Sequence, residues 1–365
     1  MVKPMDISKF RKNLTKNIDG ISTGFHDPDV WVDTGNYCLN YTISGKFNRG
    51  IPLGQVAMFA GESGSGKSYV AANIMKNAQN NDIFVLAIDT ENGLTNEWLT
   101  KAGVDTSEDK FMRIQLALVD DVAKTIDKFM EDYIATYKDL PKEEHLKVLI
   151  VIDSLGMLIT KTDIDQFKSG DLKGDMGRKP KALNALIRNC VVKFAEWNIG
   201  LVCTNHTYAS QDMFSPDPKV SGGSSFIYAS SLVVALQQLK LKEDTEGEKT
   251  TSVNGIRSKM KCIKTRYCKP FESVEIKIPY KSGMNPYSGL IDFFEKQELL
   301  QKDGNKLKYI DLDGNEHKYF RKRIPETLLD KMIEEFEQQN IKIENNVSYE
   351  ENNDSYEVSN ISNEE

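Results

Sequence analysis

The sequence predicts an α/β protein built on a mainly parallel sheet, and three observations carry that expectation. Short apolar runs of buried-strand character (QVAMFAG, DIFVLAID, KVLIVID, IGLVCTN, SLVVALQQL) recur between Gln55 and Leu239. Stretches of helical periodicity separate them, among them Lys67 to Gln79 and Val122 to Tyr137. A glycine-rich motif follows directly on the first run. Strands alternating with helices imply parallel βαβ units, with helices on both faces of the sheet.

After Lys240 the pattern changes. The polar stretch KEDTEGEKTTSVNG leads into the alternating runs KMKCIKTRY and ESVEIKIPY, which read as an antiparallel extension. NPYSGLIDFFEKQELL, then KLKYIDLDGNEHKYF with its Asp-Gly turn, then an amphipathic helix near Glu326 to Gln339, read as a small appendage. The last stretch, from Glu344, holds seven acidic residues and no Lys or Arg, leaving a body of 47 acids against 47 bases. Such a tail buries too little apolar surface to fold, and is expected to be disordered.

No apolar run approaches a membrane span, and the start MVKPMDISKFRKN has no signal-peptide core, so the expected location is the cytoplasm, the host's if the chain is phage-encoded. Five cysteines, at 38, 190, 203, 262 and 268, form no CxxC pair. That argues against a zinc site, and Cys190 and Cys203 read as core residues.

The motif GESGSGKS (Gly61, Glu62, Ser63, Gly64, Ser65, Gly66, Lys67, Ser68, with Tyr69 next) fits GxxxxGK[ST] between a strand and a helix. Its glycines let main-chain N–H groups point inward around phosphates, Lys67 reaches the β/γ-phosphates and Ser68 a magnesium ion. ATP and Mg²⁺ are therefore the expected ligands. Asp153 ends a second apolar strand, where a carboxylate near that metal belongs. FVLAIDTENG delivers Asp89 and Glu91 to the end of another; Glu91 reads as a base toward the attacking water or as a helix cap, and Asp89 as structural.

TNHTYASQDMFSPDPKVSGGSS, Thr204 to Ser225, is polar and rich in Pro, Gly and Ser, so it is expected to be a mobile surface loop. It nevertheless opens on Asn205 and His206 and carries Met213 and Phe214. His206 stands at a strand tip, where an imidazole reads either as a γ-phosphate sensor or as a packing residue.

Taken together, GESGSGKS, IDTENGLTNEWLTKAGVD, VLIVIDSLGML, CTNHTY, KTRYCKPF and GMNPYSGLID resemble RecA-type strand-exchange recombinases over about residues 30 to 300; TNHTY and PYSGLID are most similar to the phage UvsX branch. The resemblance implies a RecA-like P-loop ATPase core at 36–282, a protomer-contact segment at 1–35, a small C-terminal domain at 283–342 and the acidic tail at 343–365. It implies that Glu91 activates water, that Trp98 packs near adenine, and that Lys264 and Arg266 reach the γ-phosphate held by the neighbouring subunit. By themselves the last two read as a solvated strand face.

It further implies two DNA-holding loops. One lies within Thr160 to Pro180, where Lys168, Lys173, Arg178 and Lys179 face phosphates, although four aspartates there equally suit a solvated loop. The other carries Met213 and Phe214 as wedges against bases, or with Phe214 folded back on the core. The implied activity is a DNA-dependent ATPase that forms filaments on single-stranded DNA and pairs it with homologous duplex DNA in recombination and repair, aided by mediator and ssDNA-binding proteins. A RecA-fold helicase or motor, and a regulatory paralogue acting as a mediator, are the competing readings.

Overall fold

The computed structural model describes residues 7–17, 27–170, 177–208, 219–221, 224–244 and 247–341. They fall into two compact units, one from within 1–32, 51–61 and 67–233, the other from within 33–50, 62–66 and 234–365.

The first unit is organised around five parallel strands in the spatial order Val56–Gly61, Gly200–Tyr208, Val148–Asp153, Phe84–Asp89, Phe111–Gln115. Val56–Gly61 and Val148–Asp153 are buried at every position, which is why they read as unbroken apolar runs. Phe111–Gln115, at the end of that order, buries only Phe111 fully and does not read as an apolar run. Register brings Gly61 opposite His206 and Asp89 opposite Asp153, so the C-terminal ends of the strands share one edge.

Helix Val119–Tyr137 buries Val119, Val122, Ile126, Met130 and Tyr133, a single stripe at three- and four-residue spacing. Helix Arg178–Trp197 buries Leu183, Leu186, Ile187, Cys190 and Phe194, and Asn198 stops it at φ 55°. The Thr160 to Pro180 stretch, expected to be a loop, holds a helix at Lys161–Ser169 instead. A reciprocal cap forms it: Thr160 Oγ1 accepts the Asp163 N–H while the Asp163 carboxylate accepts the Thr160 N–H.

In the second unit, Gly255–Lys264 pairs antiparallel with Ser273–Pro279, Ile256 opposite Ile278 and Met260 opposite Val274, and the burial of both alternates. Helix Tyr37–Ser44 is capped by Asn36, whose side-chain nitrogen also donates to the carbonyls of Asn285, Pro286 and Ser288. Tyr41, Phe47, Phe293, Phe294 and Phe336 form an aromatic core. Phe336 comes from a helix at 326–341 that also buries Leu329 and Met332. Gln301–Asp303, Lys306–Ile310 and Glu316–Tyr319 make a separate antiparallel sheet. Among the described residues no helix is long and apolar enough to cross a membrane.

Candidate active site

The P-loop follows the buried strand Val56–Gly61 and runs into helix Lys67–Gln79. Gly64 and Gly66 adopt φ of 75° and 97°, which side-chain-bearing residues rarely do. At Gly66 a Cβ would also stand 3.1 Å from Ile256 Cδ1. Lys67 is only 7% exposed and donates to the Gly61 carbonyl at 2.9 Å. The buried Ser65 Oγ has no hydrogen-bond partner among the described residues. A glycine cradle, a buried ammonium and an orphaned hydroxyl fit a phosphate chain and its magnesium ion.

Ser68, first-turn residue of that helix, hydrogen-bonds the Asp153 carboxyl, which also accepts the Thr204 hydroxyl. Burial pushes the Asp153 pKa above the ordinary carboxylate value, against these two hydrogen bonds. Glu91 and His206, from different strand ends, meet beside it. The Ser154 hydroxyl donates to Glu91 Oε1 at 2.5 Å, and His206 Nε2 lies 3.3 Å from that same oxygen and 3.5 Å from Ser154 Oγ. The Asp153–Ser154 peptide is cis. Thr90 ties the two strand ends together, donating to Ser154 O at 2.6 Å and accepting the Ser154 N–H at 2.8 Å.

Glu91 owes its position to Asp89, which is fully buried. Asp89 Oδ1 accepts the N–H groups of Glu91 and Gly93; Oδ2 accepts Leu94 N–H and the Arg113 guanidinium at 2.6 Å. Burial alone would raise its pKa, but Arg113 and the Leu94 and Gly93 amides together outweigh burial and hold it below the ordinary value.

The Thr204 to Ser225 stretch is not a loop throughout. Its strand continues to Tyr208, because the pairing with Val56–Gly61 persists to His206, and Thr204 and Asn205 are buried. Asn205 accepts the His206 N–H and donates to Ser221 O, while Thr207 and Tyr208 pair antiparallel with Val220 and Lys219. Met213 and Phe214 lie outside the described residues, as does Lys173.

Lys67, Ser68, Glu91, Asp153 and His206 are thus gathered at one strand edge. Trp98 is half-buried on helix Asn96–Ala102 and shares no hydrogen bond with that group; Tyr69 is half-buried on the P-loop helix. Lys168 is exposed on helix Lys161–Ser169, Arg178 is exposed and donates to Thr162 Oγ1, and Lys179 donates to Gly156 O. Lys264 and Arg266 belong to the second unit, where burial, with Arg266 beside it, lowers the Lys264 pKa. Residue patterns alone missed Ser154, Thr204 and Arg113. Ser154 carried the one available signal, its place directly after the strand-ending Asp153.

The sequence model of the RecA N-terminal domain matches residues 26–285. The "Recombination and repair protein" of Enterobacteria phage T4 is 27% identical over 270 residues, 73% of this chain and 64% of that protein, so the chain spans just under two thirds of that relative's length. "Protein RecA" of Clostridium botulinum (strain Eklund 17B / Type B) is 24% identical over 329 residues, 89% of this chain and 82% of its own. "Protein RecA" of Arthrobacter sp. (strain FB24) is 26% identical over 289 residues, 78% and 74% of the two chains. The matched span takes in the P-loop, all five parallel strands and the Gly255–Pro279 hairpin, and the chain belongs to the RecA family.

Proposed function

We propose that this protein is a DNA-dependent ATPase that polymerises on single-stranded DNA and catalyses homologous pairing and strand exchange. The observation that supports it most is the grouping of Glu91, Ser154 and His206 beside the Lys67–Ser68–Asp153 constellation. P-loop amides and Lys67 hold the β/γ-phosphates, and Ser68 with Asp153 would hold Mg²⁺. When bound, that ion supplies charge neutralisation for the departing phosphate.

Ser154 engages Glu91 Oε1 and leaves Oε2 without a partner among the described residues. With 38% of its side chain exposed, Glu91 is open to a water, whose proton Oε2 takes as the γ-phosphorus is attacked. His206 reports that phosphate to the chain beyond Tyr208, where Met213 and Phe214 meet DNA. Lys168, Lys173 and Arg178 contribute phosphate contacts, and Lys264 and Arg266 act on the neighbouring protomer's nucleotide. Names of the relatives, RecA and a recombination and repair protein, support the same reading.

Electron microscopy with single-stranded DNA and a slowly hydrolysed ATP analogue tests it. Helical filaments are expected; discrete hexamers mean a ring-forming motor, and no assembly means neither. Glu91→Gln is expected to keep nucleotide binding, slow hydrolysis and prolong DNA complexes. Equal losses of binding and turnover would make Glu91 a structural residue.

A further inference from the structure

Lys179 stands in the first turn of helix Arg178–Trp197, where the positive end of the helix disfavours a cation. Its half-buried side chain compensates by donating to the Gly156 carbonyl at 2.6 Å. Gly156 lies in the single turn Leu155–Met157, directly after Ser154. That turn is pressed against His206: a Cβ on Gly156 would stand 2.6 Å from His206 Cδ2 and 3.2 Å from Asn205 Oδ1. Lys179, Gly156, Ser154 and His206 therefore form one continuous packing onto Glu91.

We propose that Lys179 is a positioning residue for ATP hydrolysis and not a DNA-phosphate contact. By holding the Gly156 carbonyl, it fixes the turn that carries the Ser154 hydroxyl to Glu91 and backs the imidazole of His206. A cation engaged on a backbone carbonyl has less to offer a phosphate than its exposed neighbour Arg178. The inference rests on the proposed role of Glu91 as the group that activates water.

The test compares Lys179→Met and Lys179→Arg with the wild type and Glu91→Gln. Turnover number and KM for ATP are measured at saturating single-stranded DNA, and DNA affinity is followed across a salt series. Lys179→Met is expected to lower kcat about tenfold, the worth of one charge-assisted hydrogen bond, with KM and the salt slope unchanged. Lys179→Arg should restore most of kcat. Gly156→Ala, whose Cβ would press on His206 and not on Lys179, disturbs the same turn from its other side and should also lower kcat.

A Lys179→Met protein with intact kcat but weaker binding and a salt slope reduced by about 0.7 would be missing a phosphate contact, and the proposal would fail. A lower melting temperature with intact kcat would equally overturn it. Wild-type turnover lost in Glu91→Gln keeps the underlying reading whatever Lys179 does. A wild type without DNA-stimulated turnover removes both.

Discussion

Replacing Asp89 by Asn tests how the turn bearing Glu91 is held. The carboxylate divides five donors between its oxygens, Glu91 and Gly93 N–H on one, Leu94 N–H and two Arg113 groups on the other. Asparagine offers one oxygen and puts an NH₂ where the second stood, so at least two charge-assisted bonds are lost, at about 1.5–3 kcal/mol each. Arg113 is 31% exposed and regains some water, which favours the lower end. The expected destabilisation is about 3–4 kcal/mol. All three tryptophans, Trp31, Trp98 and Trp197, lie in the first unit, so fluorescence during urea titration follows the unit that contains Asp89. With a slope of about 3 kcal/mol/M the midpoint should fall by about 1 M. The sign with pH follows from the depressed pKa: the stabilisation is complete above the unfolded value, about pH 4, and is lost as pH falls through the folded one. The gap between wild type and variant should therefore close on acidification. A midpoint shift below about 0.2 M, on the same slope, would show that the five donors do not depend on the carboxylate, and a gap that widens in acid would refute the sign.

Lys67→Ala should abolish ATP turnover with the fold retained; wild-type turnover would dismiss the P-loop assignment. His206→Ala should keep nucleotide binding and lose the ATP-dependent gain in single-stranded DNA affinity, whereas Phe214→Ala should lose that affinity with basal hydrolysis intact; affinities measured with ADP and with a non-hydrolysed analogue separate the two. Truncation after Lys342 removes the acidic tail and should strengthen duplex binding at low salt, less so as salt rises, because an anionic segment competes with phosphates. Unchanged low-salt affinity rules that competition out.

The parts of the fold that could be read in advance are those in which burial is total. Val56–Gly61 and Val148–Asp153 have no solvent-facing side to dilute the apolar signal, and the P-loop is defined by backbone conformations that only glycine adopts readily. Phe111–Gln115 lacks that signal because most of its side chains face water. Helix Lys161–Ser169 was hidden by its polarity: it buries no residue, and what forms it is the Thr160–Asp163 cap. At the site, Lys67, Glu91 and Asp153 announce themselves by motif or strand end. Arg113 does not, and Ser154 does so only by following Asp153, since a serine and an arginine acquire their roles only when separate strands bring a carboxylate to them.

The ladder that sets Gly61 opposite His206 and Asp89 opposite Asp153 also works as a ruler. Spacing between the strand ends that carry the phosphate cradle and the groups acting on it is set by backbone hydrogen bonds, whose increments are whole residues, while side chains such as Asp89 and Lys179 hold the turns beyond those ends. A single insertion or deletion inside a central strand would turn its terminal side chain to the opposite face. A chemistry measured out in strand steps is inherited whole or lost.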